Sequence, residues 1–154
     1  EYLLLHEFGH TFAGLGDEYF DSGVTYTAEW LATNPPWEPN VSPLVDGKVR
    51  WQAKIAADVP VPTPWRKDEY VTLAKQARDA REHVEPDSAT KVDIDGFLRN
   101  EPYYGKLGAF EGARYTAEGL YRPEVDCRMF SKTAKHFCSI CNDTIGAAIK
   151  RVIS

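Results

Sequence analysis

The chain has 154 residues, of which 43% are hydrophobic and 27% are charged, and its formal net charge is −5. A chain of this length can form one domain with its own hydrophobic core. The acidic balance excludes a general nucleic-acid-binding protein, because phosphate binding depends on clustered Lys and Arg, and the lack of any run of 18 apolar residues excludes a membrane-spanning helix in this chain.

Residues 1–13 are predicted to form the first helix. Its apolar face is formed by Leu5, Phe8 and Phe12. The two glycines that follow, Gly14 and Gly16, end the helix. Because a helix with chemically important residues begins at the first position, without an initiating Met, we expect the chain to be a piece of a longer protein, with any leader sequence upstream.

The sequence HEFGH occupies residues 6–10 of this helix. Residues four apart lie on one face of a helix, so His6 and His10 can present ring nitrogens to one zinc ion at about 2.0–2.1 Å. Glu7 lies beside them, where its carboxylate can take a proton from a water molecule activated by the metal. The alternative is a chance match on an ordinary helix. We favour the metal site, because the motif uses half of the four histidines in the chain.

A catalytic zinc site usually has three protein ligands and one open position. The other two histidines, His83 and His136, are expected to be surface residues. On an unbroken helix Asp17 would be out of reach, but a left-handed turn at Gly14 would bring it back toward the metal. Asp17 is therefore the candidate third ligand. Glu18 is the reserve candidate, because successive residues of an extended segment point to opposite sides.

The middle of the chain is less regular. Residues 20–64 contain seven of the ten prolines and are predicted to be ordered without regular helix. We expect three tryptophans to pin this segment to the core: Trp30, Trp37 and Trp51. Residues 66–84 are predicted to form an amphipathic surface helix, and residues 87–106 to form polar turns.

The C-terminal third is predicted to contain a strand at about residues 107–111, a turn at residues 127–130, and a final helix over about residues 132–153. The last of these has a nearly continuous apolar stripe.

Five segments closely resemble the bacterial IgA-peptidase family of zinc metallopeptidases: HEFGHTFAGLGDEY (6–19), NPPWEPNV (34–41), FEGARYTAEGLYRP (110–123), CRMF (127–130) and FCSIC (137–141). The resemblance is collinear over most of the chain, except for about residues 66–105. A helix with two His, a Gly turn, a third ligand and a later turn containing Met also resembles the metzincins.

The resemblance implies one catalytic Zn²⁺ held by His6, His10 and Asp17. It implies that Glu7 is the general base, and that Met129 forms an apolar floor beneath the ion, in the Met-turn. In the better-known metzincins the third ligand follows the second His by six residues, whereas Asp17 follows His10 by seven.

The fold implied is α+β, a metzincin-like zincin catalytic domain. Its sheet subdomain would precede residue 1, so that residues 1–154 would be the C-terminal part, with the active-site helix, a helical and irregular subdomain with the Met-turn, and the final helix. The implied protein is a secreted, cell-surface or periplasmic hydrolase, an endopeptidase that acts on protein or peptide substrates, immunoglobulin-like or other extracellular proteins among them. The sequence does not indicate an oligomeric state.

Two tyrosines, Tyr115 and Tyr121, are candidates for contact with the oxyanion or the substrate, as a tyrosine is in some metzincins; the alternative is that they belong to the core. Glu111 and Arg122 either pair near the site or are surface charges.

Three cysteines lie in the last 28 residues: Cys127, Cys138 and Cys141. A disulfide from Cys127 to one of the other two would tie the Met-turn to the final helix. A four-ligand zinc site that uses His136 is disfavoured, because positions i and i+3 in the middle of a helix splay apart. Plain buried thiols are the third alternative.

Two further functions stay open from the sequence. A gluzincin-type peptidase would take its third ligand from a Glu on a separate downstream helix, and a ligand beyond residue 60 would favour it. A protease-like binding module would bind zinc without turnover, although the intact His6, Glu7 and His10 argue against loss of activity.

Overall fold

A computed structural model describes residues 2–21, 26, 28–82 and 92–154. These residues form a small α+β arrangement of five α-helices, one 3₁₀ turn and two strands. In chain order they are α1 (Tyr2–Ala13), α2 (Ala28–Thr33), the 3₁₀ turn (Gln52–Lys54), α3 (Lys67–Glu82), α4 (Ile94–Arg99), β1 (Phe110–Ala113), β2 (Thr116–Arg122) and α5 (Ser139–Ile153). None of the helices described is long and apolar enough to cross a membrane.

The first predicted helix is confirmed as α1, and so is the left-handed turn that ends it. Gly14 has a φ of +65°. Its N–H donates to the carbonyl of His10 at 3.0 Å, and the N–H of Leu15 donates to the carbonyl of Gly9 at 3.2 Å. A residue with a Cβ is disfavoured at such a φ, which explains why Gly occupies this position. The turn sends the chain back along α1.

The buried face of α1 differs from the predicted one. Its fully buried residues are His6 and Gly9, whereas Phe8 is 42% exposed. The reason is that α1 lies with its backbone against the turn that contains Met129. A Cβ added at Gly9 would lie 3.0 Å from the Sδ of Met129 and 3.3 Å from Cδ1 of Leu15. The helix is thus placed by close backbone approach.

The predicted turn at residues 127–130 is confirmed. The N–H of Phe130 donates to the carbonyl of Cys127 at 2.8 Å, and the N–H of Ser131 donates to the same carbonyl at 2.9 Å. Met129, which lies between Cys127 and Phe130 in this turn, is completely buried. The side chain at the centre of this turn therefore faces α1 and no solvent.

The two strands form an antiparallel hairpin. The strand predicted at about 107–111 overlaps β1 only at its end, and β2 was not predicted. Arg114 and Tyr115 connect the strands with φ values of 50° and 62°, as in a two-residue type I′ turn. Their N–H groups donate to the carbonyls of Asp17 and Tyr19, each at 3.0 Å. The hairpin turn therefore lies on the segment that follows α1.

The proline-rich segment is mostly irregular, as predicted, with α2 and the 3₁₀ turn as short regular pieces. Trp51 is 4% exposed and donates its indole N–H to the carbonyl of Gly108 at 2.7 Å. Trp30 is partly buried. The expectation for Trp37 is wrong, because this residue is 71% exposed; its ring edge covers Gly14 instead of entering the core.

The amphipathic helix predicted over residues 66–84 is confirmed as α3, with Tyr70 and Ala74 buried. The prediction of turns alone over residues 87–106 is wrong at α4. That helix forms because the Asp93 carboxylate accepts from the N–H of Gly96 at 2.8 Å, which caps its first turn. His83 lies outside the described residues.

The final helix begins at Ser139, seven residues later than predicted. Arg128 is the cause, because it occupies backbone carbonyls that a helix would need. Its N–H donates to the carbonyl of His136 at 2.8 Å, and its guanidinium donates to the carbonyl of Lys135 at 2.9 Å. Cys138 then becomes the N-cap residue, with an extended ψ of 168°.

Candidate metal centre

Three predicted ligands converge on one point at the end of α1. The Nε2 atoms of His6 and His10 lie 3.1 Å apart. One carboxylate oxygen of Asp17, Oδ1, lies 3.0 Å from the first and 3.2 Å from the second. Ligand atoms at about 2.0–2.1 Å from a tetrahedral zinc ion would be roughly 3.3–3.4 Å apart. The observed triangle is close to that size.

The opposite nitrogen of each His ring bonds a backbone carbonyl. His6 Nδ1 donates to the carbonyl of Arg128 at 3.1 Å, and His10 Nδ1 donates to the carbonyl of Leu15 at 2.6 Å. A carbonyl only accepts, so the proton of each neutral ring is fixed at Nδ1 and a lone pair at Nε2. Metal-binding histidines usually donate their other ring N–H to a carbonyl or carboxylate in this way.

The convergence therefore consists of acceptors only. Two Nε2 lone pairs and one carboxylate oxygen face each other, with side-chain exposures of 6% for His6, 28% for His10 and 10% for Asp17. With both rings neutral, such a set is repulsive unless a cation lies among its members; the alternative is a second proton on a ring, at Nε2, which then donates to Asp17. The residues present thus fit a divalent metal ion, and two imidazoles with one carboxylate are a ligand set that zinc sites use.

The electrostatics of the cluster favour positive charge. Burial raises the pKa of Asp17, but hydrogen bonds from the rings of His10 and His6 in their protonated form, and from Tyr115, outweigh it and hold the pKa well below its usual range. Burial lowers the pKa of His6, but hydrogen bonds to Asp17 and to the carbonyl of Arg128 outweigh it and raise the pKa overall. The pKa of His10 is raised, chiefly by its hydrogen bond to Asp17.

Two tyrosines hold Asp17 in place. The Tyr115 hydroxyl donates to the second carboxylate oxygen of Asp17, and it lies 3.1 Å from the hydroxyl of Tyr19. Burial and the Asp17 carboxylate raise the pKa of Tyr115 above its ordinary value. The positive φ of Tyr115 is an uncommon conformation for a residue with a large side chain. It places the hydroxyl on the metal-site carboxylate.

Glu7 is exposed, one residue beyond His6 on α1. Both residues line a large open groove, whose other walls come from α3, α4 and residues 130–135. The side of α1 that carries Glu7 is therefore accessible from solvent, whereas the Met129 side is closed.

Glu18 lies on the other side of the chain segment. It is 0% exposed, and its N–H donates to the carbonyl of Met129 at 2.8 Å. Its carboxylate faces three cysteines and Asn40 rather than the two histidines. Among the described residues, Asp17 is the carboxylate that groups with His6 and His10, so no Glu beyond residue 60 takes the position that a gluzincin would require.

Other predicted residues lie elsewhere. Tyr121 is 8% exposed and forms its side-chain hydrogen bond with Glu111. The Glu111 carboxylate pairs with Lys67 at 2.5 Å. Both expectations for Arg122 are wrong, because it is neither a surface charge nor the partner of the Glu111 carboxylate. Arg122 is 0% exposed, and its guanidinium carbon lies 3.9 Å from the centre of the Phe130 ring. The guanidinium donates to backbone carbonyls, including that of Glu111 at 3.2 Å.

Sequence reasoning missed Asn40, which is 0% exposed. Its amide side chain accepts from the N–H of Gly16 at 2.8 Å and donates to the carbonyl of Gly16 at 2.9 Å. It also donates to the Glu18 carboxylate at 2.9 Å. Asn40 thus fixes the turn that places Asp17 and Glu18, and the segment NPPWEPNV, which contains it, was the only signal for this role.

One comparison with known proteins gives a match. The family model described as IgA Peptidase M64 matches residues 1–149. The matched range includes the three clustered residues, Glu7 and the turn at Met129. No curated protein matches the chain.

Proposed function

The chain belongs to the IgA Peptidase M64 family, a family of metallopeptidases, and on this premise we propose that it is a zinc-dependent endopeptidase. The ion would be held by His6, His10 and Asp17. The observation that carries the proposal is the convergence of two His lone pairs and a carboxylate oxygen within 3.0–3.2 Å, with both Nδ1 atoms bonded to carbonyls. A bound zinc ion supplies Lewis acidity, which polarises a peptide carbonyl and lowers the pKa of a water molecule.

The residues of the chain divide the remaining work. Glu7, exposed on the groove beside His6, would accept the proton of the attacking water at its carboxylate and return it to the leaving nitrogen. Tyr115 and Tyr19 hold Asp17, and the carbonyls of Leu15 and Arg128 orient the rings. Met129 would close the site from below.

The substrate is proposed to be a polypeptide bound along the open groove. We propose extracellular proteins as its source and a secreted, cell-surface or periplasmic location for the enzyme. Support for this comes from the family description, which names IgA. The metzincin-like fold is likewise proposed, on the combination of α1, the Gly14 turn and the buried Met129 beneath it.

The test is metal content and cleavage with and without a chelator. We expect zinc in the purified protein, cleavage of a proteome-derived peptide library, loss of both after chelation, and recovery on addition of zinc. Purified immunoglobulin A is assayed beside the library. Full activity of the metal-free protein would overturn the proposal. Zinc at full occupancy without cleavage of any peptide would favour a binding module.

A further inference from the structure

A second group of metal-ligand side chains lies beneath the turn at Met129. Its ligand atoms all lie within 4.8 Å of one another, and all four side chains are 0% exposed: Glu18, Cys127, Cys138 and Cys141. All three thiols are free. The disulfide considered from the sequence is therefore not formed. The group is a closed pocket lined by three thiols and one carboxyl group.

The start of α5 brings the two later cysteines together. Cys138 is the N-cap residue and Cys141 lies in the first turn of the helix. The N-cap residue has an extended ψ of 168°, so the two cysteines do not have the spacing of two helical positions, and their sulfur atoms lie within 4.8 Å of each other. Cysteines at positions i and i+3 splay apart when both lie in the middle of a helix, as was predicted for Cys138 and Cys141. This prediction is wrong because α5 begins at Ser139, so Cys138 lies before the helix.

The distances match tetrahedral zinc. The Sγ atoms of Cys127 and Cys141 lie 3.9 Å apart. Glu18 Oε1 lies 3.3 Å from the Sγ of Cys141 and 3.6 Å from that of Cys138. With Zn–S near 2.3 Å and Zn–O near 2.1 Å, tetrahedral ligands would be about 3.8 Å apart for two sulfurs and about 3.6 Å for sulfur and oxygen.

The pocket also favours a thiolate. The Sγ of Cys127 accepts the N–H of Cys138 at 3.1 Å and the N–H of Met129 at 3.4 Å. Thiolate is the form of Cys that binds metals.

The Glu18 carboxylate gives an independent indication. Within the part of the chain that the structure describes, its Oε2 is buried and has no hydrogen-bond partner. A buried carboxylate oxygen in this state costs free energy unless a cation or a donor compensates it. Asn40 donates only to Oε1. Oε1 is the oxygen that faces the thiols, and Oε2 is unpaired, so the carboxylate has capacity left to bind a metal.

We propose that this pocket is a second zinc site, structural rather than catalytic, with one carboxylate and three thiolate ligands: Glu18, Cys127, Cys138 and Cys141. Four ligands with no exposure leave no position for water or substrate, which is the property of structural zinc sites. The ion would join three parts of the chain: the segment after α1, the turn at Met129 and the start of α5.

The first measurement is X-ray absorption at the zinc edge, on protein purified and kept under reducing conditions. We expect two zinc ions per chain, and sulfur neighbours at about 2.3 Å. His10→Ala should remove one zinc and leave the remaining ion with a sulfur-rich shell. This result does not depend on peptidase activity. One zinc per chain with only nitrogen and oxygen neighbours would overturn the proposal.

The second measurement uses Co²⁺ in place of zinc. A thiolate-to-cobalt charge-transfer absorption is expected in the wild-type protein and in His10→Ala, and should be weaker in Cys141→Ser, which removes one of the three thiolates. The matched control is His136→Ala, which removes the histidine considered as a ligand from the sequence and should keep the absorption. Since Cys141→Ser could fail to fold, the wild-type spectra decide. The mass of the native protein and its number of free thiols are measured as well. A mass lower by two hydrogens, together with one free thiol, would mean that two of the cysteines form a disulfide, and this would refute the site.

Discussion

The segment after α1 contributes to two clusters that differ in exposure. Asp17 faces His6 and His10, and one member of that cluster, His6, lines the open groove together with the exposed Glu7. Glu18, the next residue, faces the opposite way into a pocket without any exposure. Consecutive side chains of an extended segment alternate in direction. One short turn can thus supply an open site suited to chemistry and a closed site suited to stability.

The two clusters also differ in how they are supported. Carbonyls and a tyrosine hydroxyl surround the His/Asp cluster, and they fix which atoms present lone pairs. Backbone N–H groups surround Cys127 instead, and they stabilise negative charge on sulfur. We therefore expect changes near the first cluster to alter turnover and affinity, and changes near the second to alter folding.

The largest effect is expected for Glu7→Gln. General-base catalysis typically contributes roughly 10²–10⁴-fold, so turnover should fall by about this factor while both zinc ions stay bound. The measurement is steady-state cleavage with zinc analysis of the same sample. The control is Glu118→Gln, a change at another exposed Glu, on β2. Near-normal turnover in Glu7→Gln would show that this residue is not the base.

Variants of two consecutive residues, Asp17→Ala and Glu18→Ala, test which of the two proposed zinc sites each residue serves. Loss of outer-shell partners already costs about 10–100-fold in metal affinity, so loss of a ligand in Asp17→Ala should cost more than about 100-fold at the His site. Glu18→Ala should leave zinc affinity at the His site (His6, His10 and Asp17) unchanged and should weaken zinc binding at the thiolate site, which consists of Glu18 and the three cysteines. Chelator competition, followed by zinc content and by cobalt absorption, measures both. If Glu18→Ala empties the His site, our assignment of the turn is wrong by one residue.

Asn40→Ala tests the support that the two clusters share. The change removes three hydrogen bonds and leaves Gly16 and Glu18 with buried unpaired groups. We expect the free energy of unfolding to fall by roughly 2–3 kcal/mol, measured by urea denaturation. Asn142→Ala is the control, because that exposed side chain makes one hydrogen bond, to the carbonyl of Phe137. Equal effects of the two changes would contradict a special role for Asn40.

The smallest effect is expected for Tyr115→Phe. The variant loses one hydrogen bond to Asp17 and keeps the ring, so zinc affinity at the His site should fall by about 10–100-fold, with the thiolate site unchanged. Tyr121→Phe is the matched control, since its hydroxyl bonds Glu111. A larger loss in the control would mean that Tyr121, not Tyr115, serves the metal site.

The parts predicted well from sequence depend on local interactions. The helix α1 and the left-handed turn at Gly14 follow from residues within one or two turns of each other, and so does the turn at Met129. Together with the Gly-to-ligand offset of the metzincins, they selected Asp17 over Glu18 as the residue predicted to face the histidines.

The parts predicted poorly depend on contacts distant in sequence. The start of α5 is set by Arg128, which takes the carbonyls of Lys135 and His136, and periodicity alone could not reveal this. Asn40 acts on Gly16 across 24 residues. Trp37 was expected in the core because of its type, yet it covers Gly14 from the surface. The closed thiolate pocket was missed because its geometry depends on where α5 begins.

The close approach of α1 to Met129 restricts which sequences can carry this motif. Between Glu7 and His10, the side chain at position 8 is 42% exposed and tolerates substitution, whereas a Cβ at position 9 would lie 3.0–3.4 Å from Met129, Leu15 and Phe137. Overpacking of this kind typically costs about 1–3 kcal/mol. The general pattern His-Glu-X-X-His is therefore too permissive here. A search for proteins built in the same way should therefore require His-Glu-X-Gly-His. Counted from the second His of this pattern, it should also require Gly at the fourth residue, Asp at the seventh and Glu at the eighth.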